Sequence, residues 1–182
     1  MKDKTLVEIA LYAALMAALG LIPPIPFLSG IPITAQTLGV MLAGIMLGPV
    51  RAFLSLALFV LMVAVGLPLL AGGRGGLGVF SSPTVGFVIG FPFSAFAVGL
   101  IALALKKLPL MPAVIIASAL GGIVIQYLFG IIGFSLITGK DLLTSAKIMW
   151  VYIPGDMVKV VLTGLIVQAV SRSKVAKIVT RS

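Results

Sequence analysis

Apolar residues run together in long blocks along this chain, and the polar ones collect in the breaks between them. A helix crossing a bilayer needs about 20 apolar residues, with a range of roughly 17–25. Six blocks approach that length, at residues 5–22, 34–47, 50–67, 84–105, 111–137 and 154–170. The second is short, and the fifth is long enough to tilt or kink. The breaks read "PPIPFLSGIP", "GP", "AGGRGGLG", "KKLPLMP" and "TGKD", which is turn and loop chemistry. Residues 140–152 allow one further short helix at the interface. The first block ends in "GLIPPIP" rather than a small-x-small cleavage site, so it reads as a retained segment and not a signal peptide. The pattern predicts an all-α integral membrane protein, one domain over residues 1–182, with six transmembrane helices.

Composition narrows the function. Of 182 residues 61% are hydrophobic and 9% charged, against roughly 25% charged in a soluble domain. There is no Cys and no His. Disulfides, thiolate or imidazole metal sites and Cys- or His-based catalysis are therefore excluded, and no metal is expected. Thirteen basic and four acidic residues give a net charge of +9. The positive-inside rule accounts for that excess without nucleic acid. With the N-terminus inside, Lys2, Lys4, Arg51, Lys106, Lys107, Arg172, Lys174, Lys177 and Arg181 fall on the inner side, and only Arg74, Lys140 and Lys147 on the outer. Both termini are expected in the cytoplasm. The Pro/Gly-rich polar stretches 23–36, 72–84 and 139–159 then all lie outside. Irregular backbone at membrane depth must be buried in protein or line a wet cavity, so these stretches predict a cup that opens outward.

Four motifs carry candidate chemistry. In "YIPGDMVK" (residues 152–159), Asp156 and Lys159 stand three residues apart at the head of an otherwise apolar helix, with Tyr152 and Thr163 near the same stripe. Pro154 suits a first helical turn, and Asp156 there faces the positive end of the helix dipole. One reading makes Asp156 a cap and lets Lys159 snorkel to the interface. The other makes the pair a ligand clamp, because an intramembrane ion pair is costly unless it is used. In "GIPITAQTLGVMLAG" (residues 30–44), Thr34, Gln36 and Thr37 open a helix at the cup. They offer polar contacts to a ligand, although Thr34 also suits an N-cap and Gly39 and Gly44 suit close helix approach. "AGGRGGLGVFSSPTVGFVIGF" (residues 71–91) has the glycine density of a phosphate loop but no Gly-Lys-Ser/Thr ending. It reads as a lid or a close approach to ligand, with Arg74 either facing a carboxylate or solvated. Finally, Ala10, Ala13, Ala14, Ala17 and Ala18 give the first helix small-xxx-small spacing, which suits packing within the chain or docking of a partner subunit.

"PITAQTLGVMLAGIMLG", "GLPLLAGGRGGLG", "SPTVGFVIGF" and "IPGDMVK" together resemble the BioY family, the biotin-specific S components of energy-coupling factor (ECF) vitamin importers. The likeness covers nearly the whole chain after residue 20. It departs from the family pattern at Ser82 and Val85, where Gly is expected, and at Phe59, a position often Tyr. The resemblance implies the six-helix S-component fold in a prokaryotic cell membrane and an outward pocket that captures biotin. It also implies docking to a transmembrane scaffold subunit powered by two cytosolic ATPases, with the alanine face of the first helix meeting the scaffold. Biotin is then a transported ligand, and no cofactor is implied. Its ureido group offers two N–H donors and one carbonyl, which an Asp acceptor beside a Lys donor would match. Its carboxylate needs a donor, from Arg74 or backbone N–H groups, and Gln36, Ser82 and Thr84 are secondary contacts.

Rival functions are an S component for another vitamin, an autonomous porter and an intramembrane enzyme. Six helices without an evident repeat give no alternating halves for a porter. An aspartyl enzyme needs two facing carboxylates, and Asp141, the other acid near Asp156, reads as a loop residue. The sequence therefore reads as a binding and transport subunit and not an enzyme.

Overall fold

The computed structural model describes residues 2–26 and 30–172. Lys174, Lys177 and Arg181, counted above among the inner charges, lie outside the described residues, as do residues 27–29 of the first loop. Among the described residues no strand forms, and β pairing is limited to the isolated bridges Ile25–Ile33 and Leu70–Arg74.

The helices are α1 (Lys2–Gly20), α2 (Gln36–Leu47), α3 (Pro49–Ala64), α4 (Val85–Ala104), α5 (Leu110–Ala119), α6 (Gln126–Thr138), α7 (Leu142–Met149) and α8 (Ile153–Arg172). A π turn, Leu120–Ile125, joins α5 to α6 into one apolar rod, Leu110–Thr138. Val85–Ala104, Leu110–Thr138 and Leu142–Arg172 are long and apolar enough to cross a membrane, while α2 and α3 are shorter apolar helices. The 12 residues of α2 rise about 18 Å at 1.5 Å each, short of the roughly 30 Å hydrocarbon core.

Boundaries differ from the sequence reading where local chemistry intervenes. The third block stops at Ala64 rather than residue 67, because Gly66 takes φ +114° and turns the chain away. Thr34 does not cap α2; the N-cap position is Ala35, which makes no side-chain capping bond. Between α2 and α3 the turn is one residue, Gly48 at φ +74°, followed by Pro49 in the first turn of α3. Proline suits that position since its missing N–H would have no helical partner. The short helix expected within 140–152 is α7, capped by Asp141, whose carboxylate accepts from the Thr144 N–H at 2.9 Å. That bond holds the Asp141 pKa below its usual value.

The surface is apolar as well as the core. Leu61, Leu100, Leu136 and Leu165 are exposed, while Ser55, Ser94, Ser118, Gln126 and Thr163 are buried. The central helix is α4, which packs against α2, α3, α6 and the π turn. Contact with α6 is backbone to backbone. A Cβ on Gly86 would run into the Phe129 carbonyl oxygen, and one on Gly133 would lie 2.5 Å from the Gly86 Cα. Gly39 and Gly44 serve the same purpose for α2, bringing it onto Met16 of α1 and Val98 of α4. Membrane helices gain little from burying apolar surface against one another, so close van der Waals approach at small residues is what holds them. On the α1–α3 side, Arg51 bonds Glu8 at 2.6 Å, so these two charges neutralise each other.

Gly86→Ala is expected to destabilise the fold by about 1–3 kcal/mol, the scale of overpacking. Thermal unfolding in detergent micelles measures it, with Gly155→Ala as control, since a Cβ there meets nothing within 4 Å. Equal midpoints for the two variants would show that α4 and α6 do not need the glycine contact.

Candidate functional site

A partly open cavity lies where the first loop, the glycine-rich loop and the start of α8 converge on α2, α4 and α6. Its atom-free space, open mouth included, is about 580 Å³. Its walls are apolar: Ile31, Pro32 and Ile33 from the first loop, Leu70 from the second, and Phe87, Val88 and Phe91 from α4. Phe87 meets the Tyr127 ring edge-on at 5.8 Å between centroids. Tyr152 lines the cavity and donates its hydroxyl to the Ile31 carbonyl at 2.7 Å, tying the first loop to the head of α8.

The charged centre is on α8. Asp156 and Lys159 project on one face because residues three apart in a helix are neighbours, and Lys159 Nζ reaches Asp156 Oδ1 at 2.6 Å. Thr37 of α2 sits between them. Its hydroxyl accepts from Lys159 Nζ at 2.8 Å and donates to Asp156 Oδ1 at 3.1 Å. Tyr127 of α6 donates to the other carboxylate oxygen, Oδ2, at 2.6 Å. Asp156 is buried and makes no backbone capping bond; Lys159 is turned inward, its side chain 13% exposed, rather than snorkelling. Thr163, one turn further on, bonds back to the Lys159 carbonyl at 2.8 Å and contacts Met41 Sδ.

Arg74 lines the same cavity. Its Nε donates to the Ala71 carbonyl at 3.3 Å and its Nη1 to Thr84 Oγ1 at 3.2 Å. Desolvation lowers its pKa from the usual arginine value, but a guanidinium stays protonated. Ser82 donates to the Val79 carbonyl at 2.6 Å, so the 2.9 Å contact between Ser82 and Thr84 has Thr84 as its donor.

Of the candidate residues, Asp156, Lys159, Gln36, Thr34, Arg74, Thr84 and Tyr152 all line this cavity. Ser82 does not, and reaches it through Thr84. Ser82, Val85 and Phe59, the three departures from the family pattern, are all absent from its walls, and Phe59 is a core residue packed near Phe91. The alanines of α1 divide: Ala13 is buried and Ala17 half-buried against the core, whereas Ala10, Ala14 and Ala18 are exposed along one stripe.

Tyr127 was not among the sequence candidates, nor was the role of Thr37 as a bridge. The available signal was polarity: "QY" at 126–127 interrupts the middle of the longest apolar block, where a polar side chain needs a partner. Among the described residues no group of three acidic, His or Cys side chains could hold a metal.

The model of the BioY family matches residues 1–175. A biotin transporter BioY from Rhodobacter capsulatus is 45% identical over 98% of this chain and 99% of its own length. One from Rhizobium etli is 42% identical over 93% and 94%, and a probable biotin transporter BioY from Bacillus subtilis is 44% identical over 92% of both. A solved structure, the S-component for biotin from an ECF-type ABC transporter, superposes with a TM-score of 0.88 at 33% identity, covering 99% of this chain and 97% of that one. With matches of this extent in both sequence and structure, the chain belongs to the BioY family.

Proposed function

We propose that this chain is the biotin-binding S component of an ECF-type importer, a transport subunit and not an enzyme. The observation that carries the reading is the Asp156–Lys159 pair set into the wall of an otherwise apolar cavity. A carboxylate has about four acceptor positions and an ammonium three donors. Three contacts reach the Asp156 oxygens, and Lys159 makes two bonds among the described residues. What is left is one acceptor beside one donor. That is the complement of an N–H next to a C=O, the edge that a ureido ring presents. The aromatic and aliphatic walls suit the fused ring, and Arg74 in the same cavity supplies a cation for the valerate carboxylate. Thr34, Gln36, Thr84, Tyr152 and, through Thr84, Ser82 complete the surroundings.

In this reading the cavity opens to the outside, and six segments cross the membrane: α1, α2 with the chain that leads into it, α3, α4, the α5–α6 rod, and α8. Both termini are cytoplasmic. Lys4, Arg51, Lys106, Lys107 and Arg172 then stand on the inner side, which is where an excess of Lys and Arg belongs. The exposed Ala10–Ala14–Ala18 stripe is the surface for the transmembrane scaffold subunit, through which two cytosolic ATPases drive uptake.

Titration calorimetry of the purified protein against a panel of vitamins is the direct test. Biotin alone should bind tightly; a tighter thiamine or riboflavin would overturn the ligand assignment. Asp156→Asn and Lys159→Met should each weaken biotin by about 1.5–3 kcal/mol, the scale of a hydrogen bond to a charged group, or roughly ten- to more than a hundredfold. The double variant should lose less than the sum, because both groups act on one ligand and on each other. Binding at the parent's affinity in folded single variants would move the site elsewhere in the cavity.

Topology has its own check. Single cysteines at Leu77 and Lys107, both exposed, are labelled in whole cells with an impermeant thiol reagent. Position 77 should react and position 107 should not; the reverse would invert the orientation. For the docking stripe, Ala14→Trp should weaken assembly with the scaffold while leaving biotin binding nearly intact. A variant that assembles normally would assign that face to lipid.

A further inference from the structure

Gln36 lies at the start of α2, 2% exposed, and its carboxamide joins three parts of the chain. Nε2 donates to the Met16 carbonyl of α1 at 3.2 Å and to the Leu69 carbonyl of the glycine-rich loop at 3.1 Å. Oε1 accepts from the Ala71 N–H at 3.2 Å. Both amide hydrogens and one of the two oxygen lone pairs are therefore engaged within the protein. The same loop is pressed against α1 from the other side. A Cβ on Gly20 would collide with the Leu69 carbonyl oxygen and lie 3.0 Å from Gln36 Nε2.

From this anchor the loop passes straight into the turn that presents Arg74. Leu70 N–H donates to the Arg74 carbonyl at 3.0 Å, and the Gly73 and Arg74 N–H groups donate back to the Leu70 carbonyl at 3.0 and 3.2 Å. Gly72 and Gly73 take φ of +79° and +70°, which lets the chain reverse so tightly. Ala71 is the hinge of the arrangement. Its N–H is held by Gln36, and its carbonyl accepts from the Arg74 guanidinium.

We propose that Gln36 is a positioning residue. It fixes the 69–74 turn against α1 and thereby places the Arg74 guanidinium where the carboxylate of the ligand arrives. The proposal rests on the assignment of Arg74 as carboxylate partner made above. It gives Gln36 a role through the loop in place of a contact with the ligand, and it connects the cavity to the helix that bears the alanine stripe.

The test compares biotin with its primary amide, which keeps the ring and chain but lacks the charge. Gln36→Leu removes all three bonds at similar volume. Gly20→Ala displaces the same loop from the α1 side, its Cβ meeting the Leu69 carbonyl and Gln36 Nε2. Hydrogen exchange over residues 69–75 reports the loop directly. Each variant should speed exchange at Ala71 and weaken biotin by about tenfold or more, the loss of one charge-assisted contact, while changing amide binding little. In an Arg74→Met background, Gln36→Leu should add little further loss. Equal weakening of biotin and amide by Gln36→Leu, with slow loop exchange retained, would make Gln36 a direct contact and overturn the proposal. Faster exchange with unchanged biotin affinity would overturn it too, since the anchor would then not place Arg74. Should Arg74→Met itself keep the parent's ratio of biotin to amide affinity, the premise fails, and that result is separable because it does not involve Gln36.

Discussion

A carboxylate buried among apolar helices has to be neutralised where it stands, and the arrangement around Asp156 follows from that requirement. Its partners come from three helices: Lys159 on its own α8, Thr37 on α2 and Tyr127 on α6. Breaking a buried pair by removing one partner costs about 3–5 kcal/mol, so the three helices are held in register by a penalty as much as by an attraction. Tyr152 extends the same logic outward, binding the first loop to the head of α8. The polar floor of the cavity and the convergence of α2, α6 and α8 are thus one feature.

The loop part of the cavity is organised differently. There the polar contacts are mostly from side chain to backbone: Gln36 to residues 16, 69 and 71, Arg74 to residue 71, Ser82 to residue 79. Such bonds hold irregular loop backbone whose polar groups would otherwise have no partner at membrane depth. One part of the cavity is therefore built on a charge pair within α8 that Thr37 and Tyr127 tie to α2 and α6, and the other on stapled loops. The two parts match the two ends of the proposed ligand, the uncharged ring and the anionic tail.

Much of this was legible before any coordinates. A bilayer demands contiguous apolar residues, so the blocks stand out, and Asp156 and Lys159 stand out because charges in such a block are rare. Gly139 ended α6 close to where the "TGKD" break places it, whereas Gly66 ended α3 inside a block that reads as continuous. Tyr127 was hidden because its partner lies 29 residues away, a pairing that no local rule supplies. Gln36 showed as a polar residue at a helix start, but its acceptors are loop carbonyls set by tertiary structure. The π turn at Leu120–Ile125 was equally opaque. "LGGIVI" reads as helix with room for close packing, and the room is real: Gly121 meets Val98 and Gly122 meets Met41. What the letters do not show is the widened backbone turn.

The spacing of Asp156 and Lys159 also bears on how the chain enters the bilayer. The Thr37–Asp156 bond closes over 119 residues, so Thr37 is synthesised long before its partner exists. Lys159 needs no such wait. Its counter-charge is one turn away on the same helix, and the last segment presents itself to the translocation machinery already neutral at that point. An acid supplied from another helix would have left a bare ammonium to partition alone. By carrying both charges on one helix, the chain makes its most polar element a self-contained pair.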